Sequence, residues 1–348
     1  MSTRTPRDLT QGPIGRNLLL FALPILGGNI AQSLNGSVNA VWIGRHLGED
    51  ALTAAANANN IMFFLLGSMF GLGMAASILI AQAMGARDTA QARRTMGSSA
   101  TFFIGLSVLI AIGGWWLARH LLAWMGTPAP SLPLAEAYLR VIFLAMPALY
   151  AFAFLAAALR GAGDSRTPFR FLLVAVLLDI AFNPLLIFGI GPFPKLGIAG
   201  SAWATLLSQT LALGALLLHL RRKRHVLWLG RKDAALLLPQ PRIVQALVLK
   251  GVPMGLQMML ISLAMIAMMT MVNGFGTATA AGYGAALQLW TYVQMPAMAI
   301  GAACSSMAAQ NVGAGRWDRV DATAWTGVGF NFLLTGALIA PLILLDRW

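Results

Sequence analysis

Polar and apolar positions alternate along this chain on the scale of whole helices. Nine apolar stretches, at about 17–43, 51–83, 97–118, 136–158, 169–190, 197–219, 243–273, 281–309 and 322–345, are separated by segments that hold most of the charge. All are longer than the roughly 20 residues a helix needs to cross a bilayer. None shows the ten-residue alternation of a lipid-facing barrel, so helices must satisfy the backbone internally. The pattern predicts an all-α polytopic membrane protein with about nine transmembrane helices.

Inside the spans the polar residues fall in stripes. Asn29, Gln32, Ser33, Gly36 and Asn39 recur at three- and four-residue steps and share one helical face. Thr53, Asn57 and Asn60 make a second stripe in the second span, and Gln288, Tyr292 and Met295 share a face of the eighth. Such stripes either glue helices together or line a wet cavity, and two neighbouring striped helices favour the cavity. Ten of the 18 methionines lie between Met254 and Met307. They fit core packing, and equally a deformable wall for varied apolar ligands.

One acid breaks the pattern. Asp179 lies in the middle of an apolar run, whereas the other acids sit at or between the span ends. A carboxylate at membrane depth costs at least ~2.5 kcal/mol unless it is paired, wetted or protonated, and it marks a functional site by default. Asn183 follows four residues later on the same helical face. Pro184 then removes a backbone N–H and frees the carbonyl of Ile180, which predicts a helix break beside the acid. The structural alternative is a protonated, hydrogen-bonded Asp.

Composition sharpens this picture. The chain of 348 residues is 58% hydrophobic and 10% charged, against ~25% charged in soluble domains. Its one cysteine, Cys304, and four scattered histidines offer no ligand spacing, so no metal and no cofactor is expected. Gly71-Leu-Gly73 lies within a helix with no preceding strand and does not cradle a phosphate. No nucleophile–base pair accompanies Asp179, which argues against an intramembrane enzyme. With the N-terminus inside, 19 of the 24 basic residues fall on the inner side, and Arg45, Arg119, Arg140, Lys195 and Arg347 remain outside. That bias sets the orientation. The densest cluster, Arg221-Arg222-Lys223-Arg224, suits anionic lipid better than nucleic acid. The Asn35-Gly36-Ser37 sequon lies in the first span and carries no glycosylation meaning.

An internal repeat is legible. A shift of 229 residues places Pro24 on Pro253 and Ser33-Leu34 on Ser262-Leu263; a shift of 228 places Gly73 on Gly301 and Gln82-x-x-Gly-Ala on Gln310-x-x-Gly-Ala. Spans seven to nine therefore repeat spans one to three in the same orientation, as in transporters built from parallel repeats. The expected organisation is a six-helix lobe (1–220), a basic cytoplasmic linker (221–242) and three helices of a second lobe (243–348).

Several segments carry a family resemblance. Arg160-Gly-Ala-Gly-Asp-Ser-Arg-Thr-Pro168, Asn183-Pro-Leu-Leu-Ile-Phe-Gly189, Gly197-Ile-Ala-Gly-Ser-Ala-Trp-Ala-Thr205 and Val38-Asn-Ala-Val-Trp-Ile-Gly44 resemble segments of the multidrug and toxic compound extrusion (MATE) transporters. The resemblance implies two six-helix lobes around a central cavity, exporting substrate in exchange for protons or sodium ions; by that pattern the last three helices are missing. The chain departs from the pattern in three places. Asn39 stands where the family often has an acid, Asp179 precedes Asn183 in inverted order, and Ser262 is nearest to a glutamate of sodium-coupled members.

The expected function is a secondary exporter of organic, cationic compounds in a bacterial inner membrane, working as a monomer. Asp179 would carry the proton, with Asn183 and Asn39 around it, and the three stripes would line the substrate cavity. The alternatives are a lipid-linked oligosaccharide flippase of the same superfamily and a non-transporting truncated product. Reporter fusions test the orientation: the 221–242 segment should report from the cytoplasm and the 191–196 segment from outside, and the reverse labelling overturns it.

Overall fold

The apolar stretches become helices, each extending beyond its predicted span at one or both ends. The computed structural model describes residues 8–345, so Arg4, Arg7 and Arg347 of the charge count lie outside the described residues. The described residues form nine α-helices: α1 (Ile14–Leu47), α2 (Glu49–Gly85), α3 (Thr89–Trp124), α4 (Leu132–Gly161), α5 (Arg166–Phe188), α6 (Ile198–Arg222), α7 (Pro241–Asn273), α8 (Thr277–Gly313) and α9 (Trp317–Leu345). Seven are long and apolar enough to cross a membrane. The third span begins well before residue 97 because Asp88 caps α3, its carboxylate accepting from the Gln91 N–H at 2.8 Å.

Pro24, Pro147, Pro184, Pro253 and Pro296 all lie inside continuous helices. For Pro184 this corrects the expected break. The ring deletes one N–H, yet α5 continues to Phe188 and ends on Gly189 in the left-handed region. Packing and the neighbouring side chains hold a proline inside a membrane helix.

Among α1–α6, α4 is the central element, packed against α2, α3 and α6, with α5 against α6. Phe143, Met146, Tyr150 and Leu159 fill its core. The second set of helices meets this first set through α1–α8, α2–α7 and α2–α8. Under the repeat, α1–α8 and α2–α7 are equivalent pairs, and α2–α8 is its own partner. Leu18, Phe21 and Ala22 of α1 pack on Ile300, Ala303 and Met307 of α8. At α2–α7, a methyl on Gly71 would overlap the Gly251 carbonyl and the Gly255 nitrogen, so the backbones touch. At α2–α8 the relation is reciprocal: a methyl on Gly85 would overlap the Gln310 carbonyl, and one on Gly313 the Gln82 carbonyl.

The basic end of the molecule is closed around this crossing. Gln310, 3% exposed, donates to the Gly161 carbonyl at 2.9 Å and accepts from the Leu9 N–H at 3.1 Å. Arg316 and Arg319 donate to the carbonyls of Thr10 and Gly12 at 2.8 and 2.9 Å. The 221–242 segment is folded as well. A short 3₁₀ helix (Arg231–Leu237) lies on α3, held by an Arg93–Asp233 ion pair at 2.6 Å and a Thr101 hydroxyl on the Leu237 carbonyl at 2.6 Å.

Gly313→Ala should force the α2–α8 crossing apart and cost about 1–3 kcal/mol, as overpacking does. Gly301→Ala, in the same helix but facing open space, should be neutral or stabilising. Unfolding midpoints of the two variants in detergent check this, and equal midpoints would sink it.

Candidate functional site

Asp179 is 2% exposed and Asn183 fully buried, on the face of α5 that meets α1 and α6. One carboxylate oxygen, Oδ2, accepts from Asn35 Nδ2 at 2.8 Å and from Asn39 Nδ2 at 3.0 Å, both on α1. The other, Oδ1, accepts from the hydroxyls of Thr205 at 3.1 Å and Ser208 at 3.4 Å on α6. Asn183 closes the ring, donating to Asn39 Oδ1 at 2.9 Å and to the Asp179 backbone carbonyl at 2.9 Å. Four donors on two oxygens suit an acceptor-only, ionised carboxylate.

The hydroxyls have a second choice. Thr205 Oγ1 lies 3.3 Å from the Ser201 carbonyl and Ser208 Oγ lies 3.0 Å from the Thr205 carbonyl. Each hydroxyl carries one proton, so it serves either the carboxylate or its own helix. Two amide oxygens, Asn35 Oδ1 and Asn183 Oδ1, are buried without a hydrogen-bond partner, as is the Ser201 hydroxyl. Beyond Asn39 and Asn183, toward the end away from the basic segments, Trp42, His46 and Phe188 form a triangle of rings with centroids 5.1–6.0 Å apart. They roof the polar cage.

Thus the three residues expected to act together, Asp179, Asn183 and Asn39, do meet. Asn35, Thr205 and Ser208 are the members that sequence reading missed. Asn35 and Asn39 are four residues apart, the same spacing as Asp179 and Asn183, and that matched pair on a neighbouring span was the available signal.

The expected cavity residues divide into two groups. Gln32, Gly36, Asn60, Gln288 and Tyr292 are exposed although they lie well inside helices, while Asn29, Ser33, Asn57, Met295 and Pro184 are half-buried. Asn57 is engaged elsewhere, donating to the Thr127 hydroxyl at 3.3 Å, and Gln288 donates to the Tyr292 hydroxyl at 3.1 Å. A methyl on Gly36 would meet nothing within 4 Å. The interlobe contacts described above all lie toward the basic end. The exposed polar positions of α1, α2 and α8 lie farther along these helices, away from that end.

Known proteins match this chain over nearly all of its length. The MatE family model matches residues 24–185 and 253–348, beginning at the two prolines that the repeat superposes. A probable multidrug resistance protein of Bacillus subtilis, YoeA, is 36% identical over 94% of this chain and 70% of its own length. An FAD transporter of Shewanella oneidensis is 29% identical over 96% of this chain and 73% of its own. A solved outward-facing conformation of a MATE family multidrug transporter superposes with a TM-score of 0.87 at 22% identity, over 97% of this chain and 74% of that one.

Asn35→Ala should destabilise the protein by about 1–3 kcal/mol, the cost of removing one partner of a buried charged group. Gln32→Ala, one turn away and exposed, should stay within about 0.5 kcal/mol of the parent. Melting in detergent distinguishes them; an Asn35→Ala variant as stable as Gln32→Ala would contradict the cage.

Proposed function

We propose, because this chain belongs to the MatE family, that it is a secondary exporter of small organic, cationic compounds, and that Asp179 carries the coupling proton. The observation that supports this most directly is the pair of unpartnered amide oxygens beside a buried carboxylate. The unpartnered amide oxygens of Asn35 and Asn183 offer acceptors for a proton brought to the carboxylate. On protonation, the Thr205 and Ser208 hydroxyls turn to their own helix carbonyls, and the new carboxyl proton finds an acceptor among the amide oxygens. The local cost of the change is then small, because no group has to move away.

In this reading the substrate enters between the lobes, against Gln32 and Gly36 of α1, Asn60 of α2, and Gln288 and Tyr292 of α8. Asn29, Ser33, Asn57 and Met295 form the half-buried rim behind them. Asn39, which binds Asp179, shares the striped face of α1 with Gln32 and Gly36, so Asp179 acts on the substrate through α1. Loss of the carboxylate charge loosens the hold of Asn35 and Asn39, and α1 shifts against α5. The units 1–220 and 243–348 then move about the α2–α8 crossing, with the N-terminus and the 221–242 segment cytoplasmic. The membrane is a bacterial inner membrane, as befits the bacterial relatives.

A second reading has a specific observation behind it. The same orphan oxygens, with the carboxylate, offer oxygen ligands to a sodium ion.

Reconstituted protein tests both readings. Adding substrate at fixed pH should release protons; Asp179→Asn should abolish the release while the protein still folds, and Asp179→Glu should restore part of it. Proton release at the parental rate from Asp179→Asn would refute the assignment. Release that vanishes in the parent but becomes sodium efflux would replace the proton by sodium at the same site.

A further inference from the structure

The strongest unassigned feature is a cleft of about 1090 Å³ between the N-terminal end of α3, the C-terminal end of α6 and the folded segment after it. Arg221, Arg222, Arg224 and Lys232 line it, and none of them makes an ion pair with an acid among the described residues. The one acid in its wall, Asp233, is already used: Arg93 neutralises it at 2.6 Å and the Gly230 N–H donates to it at 2.8 Å. Burial pushes the His225 imidazole below its usual range, with Asp164 opposing, so at neutral pH His225 adds no charge. The cleft therefore presents four uncompensated cations.

The backbone here is shaped for this display. α6 ends in a paired-bond turn, His225 N–H to the Leu220 carbonyl at 3.0 Å and Arg224 N–H to the Arg221 carbonyl at 3.2 Å. The residue at its apex takes a left-handed conformation, where glycine is usual. Gly163 and Gly315 occupy that place after α4 and α8. After α6 it is Arg224, at φ 45°, and after α2 it is Arg87. Arg224 holds a strained backbone and lines the cleft.

Leu218, Val226 and Trp228 supply an apolar side to the same wall. A site that joins four cations to an apolar wall at the end of a membrane helix fits an amphiphile. A Trp at that depth is typical of the lipid headgroup level. We propose that this cleft binds the phosphate of an anionic membrane lipid, with its glycerol and upper acyl chain against Leu218 and Trp228. Clustered cations beside a membrane span recognise such headgroups by charge. Because the cleft wall includes both the 3₁₀ segment and α3, a bound lipid also bridges the linker to the first lobe.

The test uses the full chain, purified in detergent and titrated with phosphatidylglycerol, with phosphatidylcholine as the neutral control, and read by native mass spectrometry. The parent should retain phosphatidylglycerol and not phosphatidylcholine. Arg222→Gln and Arg224→Gly should each weaken retention about fivefold, the effect of one interfacial cation. Arg224→Gly also relieves the left-handed strain, so its lipid-free melting temperature should equal or exceed the parent's, which separates lost binding from lost fold. Unchanged retention in both variants overturns the proposal. Inorganic phosphate that binds the parent alone, and displaces nothing, would assign the cleft to a soluble phosphate and overturn the lipid assignment.

Discussion

A carboxylate withdrawn from water must find replacements for the hydration it has lost, and in this protein Asp179 finds them on two neighbouring helices. Asn35 and Asn39 serve one oxygen from α1, and Thr205 and Ser208 serve the other from α6. The requirement fixes the rotation of α1, because two amides four residues apart must both face α5. It also fixes how near the helices lie. Gly27 and Gly28 sit where α1 passes Phe169 and Leu172 of α5, and a methyl at Gly27 would press into the Phe169 ring.

Once α1 is turned this way, its other faces follow. Leu23, Ile30, Leu34 and Val41 are exposed on an apolar side suited to lipid. Gln32 and Gly36 are exposed on the polar stripe that also carries Asn39. One helix thus carries both the amides that hold the buried acid and two exposed polar positions.

Much of the fold was legible in the sequence because membrane helices announce themselves by length and hydropathy. The isolation of Asp179 singled out the residue around which the buried polar cage gathers. What escaped was the distribution of work among polar residues. Asn35 fell off the stripe counted from Asn29, yet it binds the acid, while Gln32 lay on the stripe and is exposed. Hydropathy cannot separate these, since both are amides on one helix and only the neighbouring helix decides. Thr205 and Ser208 were hidden for a similar reason: a hydroxyl in a membrane helix satisfies itself on its own backbone and carries no mark of a second partner. Gly71 was set aside with a nucleotide pattern, and its role is a backbone contact with α7. The 221–242 segment read as a basic linker because its folding depends on Arg93 and Thr101, far away in sequence.

The reciprocal contact of Gly85 and Gly313 has a mechanical consequence. Two helices of 37 residues cross there at their basic ends, each about 55 Å long at 1.5 Å per residue. The crossing is a fulcrum close to one end of both arms. A rotation of roughly 10° about it leaves the buried Gln310 almost stationary and carries the far tips of α2 and α8 apart by about 10 Å. Such a fulcrum would gear small changes in the fit of two glycines into large displacements at the far tips, while the hydrogen bonds that seal the basic end flex.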